Sequence, residues 1–513
     1  MDWTDGYVTE LGYTHGYYRE LSPGMLRLAC LSQGVAPPEL DGLRYLELGF
    51  GQGLSLAMHA AAGDGTFWGT DLNPSHASQA RAWARAAGAD LTVLDDGFTE
   101  LVTRQDLPEF DIIALHGVWS WISPENRRAV VQLCRKHLRV GGLLYLSYNT
   151  TPGWSATMPV RHLMTLHAEL ATATARGLPG RIDEAIAFAS RVADAGAGYF
   201  RANPSAAERL KGLSTLDRHY LAHEYFNRDW HPMAFSEVAD ALAEAKLSHV
   251  ASAHVLDHLD AINLTADGQR LLAEITHPVL RQSVRDYLVN QYFRRDVFVK
   301  GPRRLTPTEL ERAWRDAAFV LTTHPADVPM TVAGALGQAN LLESLYRPLV
   351  SALAEDGAGP KTLGQLLAHP SLPGTSMSQL REAALLLTGG GHLFPVQPVS
   401  AAAQARCQAL NAHLLERALT QSDVSFLVSP VTGAGVMVPR IPQLFLNGTR
   451  AGRGADAQGL AAHAWEVLQR QGQRLVQEGK PLEAAEENLA ELARQAEAFL
   501  TRRLPTLQAL AIA

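Results

Sequence analysis

The sequence is poor in cysteine. Its 513 residues include only three, Cys30, Cys134 and Cys407, which lie far apart and form no C-x-x-C pair. They therefore predict neither a disulfide framework nor a zinc site, and we expect no metal. Such low cysteine content is typical of a reducing compartment, so the cytoplasm is the expected location.

Long apolar runs and an excess of positive charge are also absent. No stretch of about 18 apolar residues without a charge occurs, so we expect no membrane span. The N-terminal stretch MDWTDGYVTELG is acidic and lacks the apolar core of a signal peptide. The formal net charge of −7 argues against a nucleic-acid surface, so no nucleic-acid partner is expected.

A glycine-rich turn follows a short apolar run near the N-terminus. In RYLELGFGQGLSL (44–56) the run meets Gly49, Gly51 and Gly53. Such a turn lets the backbone approach a ligand closely, and the next helix offers free N–H groups at its N-terminus. The dinucleotide fingerprint G-x-G-x-x-G requires its third glycine at the position of Leu54. The pattern E-L-G-x-G-x-G therefore indicates a nucleotide or nucleoside site that departs from the NAD type.

Short apolar runs alternate with helical segments in the first third of the chain. Predicted strands cover 43–49, 65–72, 90–94, 109–116 and 141–149. This spacing predicts right-handed βαβ units and a parallel sheet with helices on both faces. Ligands of such sheets bind at the carboxyl ends of the strands, and Asp71 ends the second strand, where an acid accepts hydrogen bonds from ribose hydroxyls.

The glycine turn and the strand tips resemble those of class I S-adenosylmethionine (SAM) methyltransferases, and SAM is the cofactor that this resemblance implies. On that resemblance Glu47 starts motif I, the three glycines wrap the amino-acid part of SAM, and Asp71 binds both ribose hydroxyls. Asp96-Gly97 follows the third strand, where the family has an acid or polar residue near the adenine. Asp95 is the alternative.

The fourth predicted strand runs into HGVWSWI at the same edge of the sheet. An aromatic wall there can stabilise a sulfonium through cation–π contact, worth about 0.5–2 kcal/mol. If this segment turns tightly, Trp119 and Trp121 face different directions and only one lines the site. His116 is a candidate base or SAM contact, or else a structural histidine. Tyr148 and Asn149, in SYNTTPGW after the fifth strand, are candidate groups on the acceptor side.

The resemblance also implies a lid over the cofactor. In many class I methyltransferases a segment before the first strand closes over SAM, and Tyr17 or its neighbour Tyr18 is the candidate here. The candidate cofactor contacts are thus Tyr17, Glu47, Gly49, Gly51, Gly53, Asp71, Leu72, Asp96, Gly97 and His116. The candidate catalytic residues are His116, Trp119, Tyr148 and Asn149.

The layout of the whole chain is more specific than the SAM-binding pattern. YLELGFGQG, HGVWSWIS, YNTTPGW and HEYFNRDWHPMAFSEVADAL resemble bacterial methyltransferases with a methyltransferase regulatory domain, a group that includes the rickettsial lysine methyltransferases of outer-membrane proteins. The expected fold is α/β, with a Rossmann-like class I methyltransferase domain over 1–155. A mainly helical linker and regulatory domain would cover 156–301, and a helical, winged-helix-like region, whose resemblance rests on 441–461, would cover 302–513.

The function that the resemblance implies is SAM-dependent methyl transfer to a protein lysine amine. Two alternatives stay open: a methyltransferase acting on a glycan or small molecule, and a non-catalytic SAM-binding regulatory protein. His223-Glu224 does not complete the metalloprotease pattern H-E-x-x-H, because Asn227 takes the place of the second histidine. His223, Glu224 and Tyr225 are instead candidates for a wall of the acceptor cleft. The expected partner is a protein methyl acceptor, and a homodimer is a further expectation.

Overall fold

A seven-stranded sheet forms the centre of the computed structural model, which describes residues 15–171, 177–454 and 456–513 except for the side chain of His219. Its strands lie in the order β3-β2-β1-β4-β5-β7-β6. They are β1 Arg44–Leu48, β2 Thr66–Thr70, β3 Leu91–Leu94, β4 Phe110–Leu115, β5 Leu138–Asn149, β6 Leu247–Ser252 and β7 Phe293–Lys300. Strands β1 to β5 are parallel, and β7 is antiparallel to both of its neighbours. The predicted Rossmann-like fold is confirmed.

Five helices alternate with the parallel strands. They are α1 Pro23–Ser32, α2 Leu54–Ala62, α3 Pro74–Ala87, α4 Phe98–Leu101 and α5 Pro124–His137. Local chemistry fixes where they start, because the side chains of Asn73 and Ser123 accept hydrogen bonds from the free N–H groups of α3 and α5. The helices α3 and α5 thus begin at the edge of the sheet where the strands β2 and β4 end.

The long connection between β5 and β6 begins with five helices that we call the cap. The cap helices are α6 Met158–Leu170, α7 Gly177–Asp194, α8 Gly198–Ala202, α9 Pro204–Leu213 and α10 Arg218–Tyr225. They have a hydrophobic cluster of their own, which includes Trp154, Ile182, Leu210 and Tyr225. Because this cluster is built from residues of several cap helices, the cap holds α10 in a defined position next to the sheet.

After the cap the chain returns to the sheet. Helix α11 Phe235–Ala243 precedes β6, and three helices connect β6 to β7: α12 Asp260–Asn263, α13 Ala266–Glu274 and α14 Pro278–Val289. The sheet therefore continues past residue 155, where the sequence predicted a domain boundary. The sequence prediction missed β7 because Arg294 and Asp296 interrupt its apolar pattern. Both are buried, and Arg294 pairs with Asp286 and Asp296, which compensates for their desolvation.

The C-terminal region combines helices with small antiparallel sheets. Its helices are α15 Pro307–Asp316, α16 Glu343–Ala358, α17 Leu363–Leu367, α18 Met377–Gly389, α19 Ala401–Arg417, α20 Arg440–Arg450, α21 Ala457–Arg470, α22 Ala485–Ala498 and α23 Leu504–Ala509. Its strands are β8 Ala318–Leu321, β9 Thr331–Gly334, β10 Gly337–Asn340, β11 Lys361–Thr362, β12 Leu393–Pro395, β13 Phe426–Ser429, β14 Ala434–Met437, β15 Val476–Gln477 and β16 Lys480–Pro481. The winged helix expected here stays a prediction.

The C-terminal region packs directly on the methyltransferase fold. Met58 of α2 and Trp83 of α3 share one hydrophobic cluster with Leu410 of α19 and Phe445 of α20. A Cβ atom on Gly435 of β14 would lie 2.8 Å from the sulfur of Met58, so the two regions are in close contact. None of the helices within the described ranges is both long and apolar enough to cross a membrane.

We expect Arg406→Met to destabilise this contact. The Arg406 guanidinium donates hydrogen bonds to the carbonyl oxygens of Ala61 and Gly63 at the end of α2, and to Asp64. Removing a donor from partly buried carbonyl groups should cost about 1–3 kcal/mol. Urea denaturation measures the loss.

Arg502→Met is the matched control for this prediction. Arg502 pairs with Asp327 on the surface, where both side chains are largely exposed, and such pairs contribute about 0–1 kcal/mol. Equal effects of the two substitutions would show that Arg406 does not link the two regions.

Candidate active site

A cavity of about 510 Å³ opens at the edge of the sheet where the five parallel strands end. Its lining at or just after the strand ends consists of Glu47, Gly49 and Gly51 from β1, Asp71 and Leu72 from β2, Asp96 and Gly97 from β3, His116 from β4 and Asn149 from β5. This volume is in the range of small-molecule sites. The parallel sheet thus brings together residues that lie up to about a hundred positions apart in the sequence.

The glycine turn forms one wall of the cavity. Gly49, Gly51 and Gly53 have φ angles of +69°, +59° and +72°, a region that side chains disfavour. A Cβ on Gly49 would lie 2.6 Å from Val118, and a Cβ on Gly53 would lie 2.6 Å from Ala80. Gly53 does not line the cavity. Its bare backbone lets α2 pack against α3, and the cofactor contact at Gly53 stays a prediction that the lining does not support.

Asp71 is fixed by three donors at the tip of β2. Its Oδ2 accepts a hydrogen bond of 2.8 Å from the backbone N–H of Gly51, and its Oδ1 accepts one of 3.0 Å from the N–H of Asn73. The Nδ1 atom of His76 lies 3.0 Å from the same Oδ1 atom. The carboxylate therefore ties the glycine turn to β2 and also lines the cavity.

The structure distinguishes the two acids after β3. Asp96 lines the cavity together with Gly97, and its carboxylate is held 2.9 Å from Arg104. Asp95 is half exposed, pairs with Arg81 at 3.2 Å and lies outside the lining. Of the two alternatives that the sequence left open, only Asp96 can contact a ligand in this cavity.

Glu47 is buried in the wall of the cavity, with 3% of its surface exposed. Burial raises the pKa of its carboxyl group to about 8, and the charge of Asp71 acts in the same direction. The hydroxyl of Tyr45, 3.3 Å away, opposes that rise by donating a hydrogen bond. Glu47 is therefore mostly protonated in the ligand-free protein at neutral pH, and a cation bound beside it would favour its ionised form.

His116 lines the middle of the cavity as a neutral side chain. Burial lowers the pKa of its imidazole to about 4, so it is a weak base at neutral pH. Its Nδ1 lies 2.8 Å from the hydroxyl of Tyr145, and its ring centroid lies 4.0 Å from that of Tyr18. His116 therefore lines the cavity wall and packs against the ring of Tyr18.

Tyr18, and not Tyr17, lines the cavity. The backbone at Tyr18 is extended, so neighbouring side chains point to opposite sides. Tyr17 points into the core, where its hydroxyl lies 3.3 Å from Nε2 of His59 and its ring packs against Phe426. Of the two neighbours that the sequence offered, Tyr18 therefore lies at the cavity and Tyr17 in the core, and a cofactor contact from this segment stays a prediction.

Two of the candidate catalytic residues point away from the cavity. Trp119 and Trp121 lie on one turn of 3₁₀ helix, in which residues two apart face different directions. Trp121 lines the cavity, whereas Trp119 is fully buried in the core of the sheet. Tyr148 lies on the opposite face of β5 from Asn149 and donates a hydrogen bond of 2.9 Å to Asp296. The structure thus gives Trp119 and Tyr148 structural roles.

Asn149 keeps its predicted place at the cavity. Its side chain is 5% exposed, and its Nδ2 atom is buried without a hydrogen-bond partner among the described residues. Buried amide groups normally have partners. Asn149 is therefore a lining residue whose amide group keeps unused hydrogen-bonding capacity among the described residues.

The remaining wall comes from residues that sequence reasoning largely missed. We call it the aromatic chamber, and it consists of Trp121, Trp154, Arg209, Tyr220, Glu224, Tyr292 and Phe293. Trp154 is in van der Waals range of Tyr292, with ring centroids 6.1 Å apart, and Phe293 lies 6.1 Å from His116. Trp121 and Glu224 were candidates from the sequence, as was His223, which also lines the cavity. Of the others, Trp154 follows β5, Arg209 and Tyr220 lie on the cap, Tyr292 precedes β7 and Phe293 begins it. No local pattern indicates that they face one cavity. Tyr225, a candidate for the same wall, packs inside the cap.

The lining has an excess of acidic groups. Among the described lining residues four are carboxylic acids, Glu47, Asp71, Asp96 and Glu224, and one is an arginine, Arg209. One of the acids, Asp96, is neutralised by an arginine outside the cavity. Glu47 and Glu224 ionise more readily beside a cation, and together with Asp71 they make the cavity favour cationic ligands.

We expect Glu47→Gln to change how stability depends on pH. The pKa of about 8 exceeds the ordinary value of 4.5, so between these values the folded protein binds more protons than the unfolded chain. The stability that Glu47 contributes is fully present below about pH 4.5 and is lost as the pH rises through 8, at about 1.4 kcal/mol per pKa unit. Glutamine stays neutral, so the Tm of the variant relative to wild type should rise between about pH 5 and pH 9.

The measurement is calorimetry of the ligand-free protein. Glu208→Gln, at an exposed position on α9, is the control and should show a Tm difference that is independent of pH. The same flat result for Glu47→Gln would contradict the raised pKa.

Known protein families match the parts of the chain that form this site. Residues 46–142 match the family model of the methyltransferase domain, and residues 217–300 match that of the predicted methyltransferase regulatory domain. The uncharacterized protein sll1526 of Synechocystis sp. is 38% identical over 517 residues, which cover 100% of both chains. The uncharacterized protein RP789 of Rickettsia prowazekii is 26% identical over 298 residues, covering 56% of this chain and 51% of that protein.

The fold is shared over nearly the whole length with a solved structure. PKMT2 from Rickettsia typhi, in complex with AdoHcy, aligns with a TM-score of 0.67 and 16% identity over 98% of this chain and 100% of that one. The two family models cover β1 to β5 and the segment from α10 to β7, which between them supply most of the cavity wall. The chain therefore belongs to the class I SAM-dependent methyltransferases that carry a methyltransferase regulatory domain.

Proposed function

We propose that this methyltransferase acts on the side-chain amine of lysine in a protein. The observation that carries the proposal is the acidic cavity with an aromatic chamber. SAM carries a sulfonium and an ammonium group, and a lysine side chain is an ammonium ion near neutral pH. Both ligands match an acidic lining, whereas the hydroxyl group of a glycan or small molecule would not need one.

The described residues fit SAM on the side of the strand ends. The bare backbone at Gly49 and Gly51 leaves room for the amino-acid part, and Asp71 is positioned to accept ribose hydroxyl groups. Glu47, protonated without a ligand, would ionise beside a cationic group. Bound SAM supplies an activated methyl group, and the chain supplies binding and orientation. The presence of AdoHcy in the structure of PKMT2, which has the same fold, supports this assignment.

The aromatic chamber fits an alkylammonium acceptor. Aromatic faces attract cations, and the attraction is greater where water is excluded. Trp154 is 7% exposed and Tyr292 is 41% exposed, so the chamber runs from a buried wall to an open rim. A lysine on a protein surface has the length to reach from such a rim inward. The resemblance to rickettsial lysine methyltransferases favours a protein acceptor, and the homodimer and the cytoplasmic location stay expectations.

Transfer of tritiated methyl from SAM tests the acceptor. We expect label in protein when the enzyme is added to denatured bacterial lysate, and methylated lysine after acid hydrolysis and amino-acid separation. The Asp71→Ala variant is the negative control. Label confined to small molecules or glycans would overturn the protein-lysine assignment and favour the alternative acceptor.

We also expect Asp71→Ala to weaken SAM binding by tenfold or more, which corresponds to about 1.4 kcal/mol per decade. The substitution removes the acceptor of the Gly51 N–H as well as the carboxylate in the cavity wall. Isothermal titration calorimetry measures the affinity. Asp95→Ala is the matched control, because Asp95 lies next to the site but outside its lining, and it should leave the affinity within twofold. Equal affinities of both variants would mean that SAM binds elsewhere.

A further inference from the structure

We propose that Glu224 binds the ammonium group of the acceptor lysine and removes one of its protons. This inference rests on the proposed function and assigns a catalytic residue that lies on the cap, outside the SAM-binding strand ends.

The cap fixes the direction in which Glu224 points. On α10 the side chains of Leu221, Ala222 and Tyr225 are buried in the cap cluster. Tyr220 and Glu224 are four residues apart and therefore share a helix face, and both line the cavity. Since one face of α10 is anchored in the cap, the other presents Glu224 to the aromatic chamber.

The Glu224 carboxylate has no hydrogen-bond or ion-pair partner among the residues that the structure describes. The cation with the largest influence on it is Arg209, which is already engaged. Its Nε donates a hydrogen bond of 3.0 Å to the hydroxyl of Tyr225, and its guanidinium lies 5.5 Å from the ring centroid of Trp154. A half-buried carboxylate without a partner is costly, and an ammonium ion in the chamber would compensate for that cost.

The surroundings also make Glu224 a suitable proton acceptor. Burial raises the pKa of its carboxyl group to about 7, and the charge of Arg209 opposes that rise. A base with a pKa near the working pH is effective in proton transfer. His116, with a pKa of about 4, is much less basic.

Several other titratable groups surround Glu224. They are Arg209 from α9, Tyr220, His223 and Tyr225 from α10, and Tyr292 from the segment before β7. Burial raises the pKa of Tyr220 and of Tyr225 above the ordinary value, so both stay neutral and cannot accept a proton near pH 7. Glu224 is the carboxylate that the cap contributes to the cavity lining within the described residues.

The proposed step balances in protons and electrons. The Glu224 carboxylate takes one proton from the lysine ammonium and becomes a carboxylic acid. The nitrogen lone pair thus released forms the bond to the methyl carbon as the sulfur–carbon bond breaks, and the electron pair of that bond stays on sulfur. The products are a methylated ammonium, S-adenosylhomocysteine and protonated Glu224, which returns its proton to solvent.

The test compares Glu224→Gln and Glu224→Asp with wild type, using poly-L-lysine as acceptor. For wild type we expect the transfer rate to rise with pH through a value near 7. For Glu224→Gln we expect the transfer rate at pH 7 to fall about 100-fold or more, in line with the usual contribution of a general base. The difference in rate from wild type should shrink near pH 10, where lysine loses its proton unaided. Glu224→Asp should keep part of the transfer rate that Glu224→Gln loses. Both variants should bind SAM within twofold of wild type. The control Glu208→Gln should have the rate of wild type.

A binding measurement separates this inference from the proposed function. The probe is n-butylammonium, titrated in the presence of S-adenosylhomocysteine and followed by tryptophan fluorescence. We expect Glu224→Gln to weaken its binding at least tenfold. If wild type labels lysine and Glu224→Gln does so with the same rate and pH profile, the role of Glu224 is overturned and the proposed function is intact. If lysine is not labelled but n-butylammonium binding still depends on Glu224, the proposed function is overturned and the cation site is kept. Equal binding of the probe by wild type and Glu224→Gln would overturn that site.

Discussion

The hydrogen bond from the Gly51 N–H to the carboxylate of Asp71, 2.8 Å long, is the contact on which the site depends. It joins the turn after β1 to the tip of β2, so the two strand ends form one wall instead of two separate loops. The N–H of Asn73 and the ring of His76 hold the same carboxylate, which makes the wall rigid before any ligand arrives. Fixed polar groups bind a ligand without paying for reorganisation.

The regulatory region is a structural part of the same enzyme fold. Strand β7 pairs with β5 along seven residues, and Arg294 is buried on it between Asp286 of α14 and Asp296. Burial favours the neutral form of Asp296, but the charge of Arg294 outweighs it and keeps the pKa of that carboxyl well below its usual range. The same carboxylate accepts a hydrogen bond from Tyr148 of β5. Because a buried charge must keep its partners, this network specifies how β7 is placed, and thus where Tyr292 contributes to the aromatic chamber.

Local patterns predicted the strand ends, and long-range packing decided which side chains face the cavity. The turn at Gly49 and the acid at Asp71 could be read from the sequence because each follows its own strand directly. Tyr18 and Trp121 line the cavity in place of Tyr17 and Trp119, since the direction of these side chains depends on an extended backbone and a 3₁₀ turn that composition does not reveal. Arg209 could not be predicted at all, because only the packing of the cap brings it to the site.

The two acids with raised pKa values divide the cavity into two binding regions. Glu47 lies at the strand ends and Glu224 on the cap, and burial is the main cause of both shifts. Neither acid has an ion-pair partner among the described residues, so each would be stabilised as an anion by a cationic ligand. One fold thus provides two acidic regions, one suited to the cofactor and one to the acceptor, and places aromatic side chains beside the second. In the proposed mechanism the cap is as necessary as the sheet, because Glu224 supplies a carboxylate on the side of the cavity away from the strand ends.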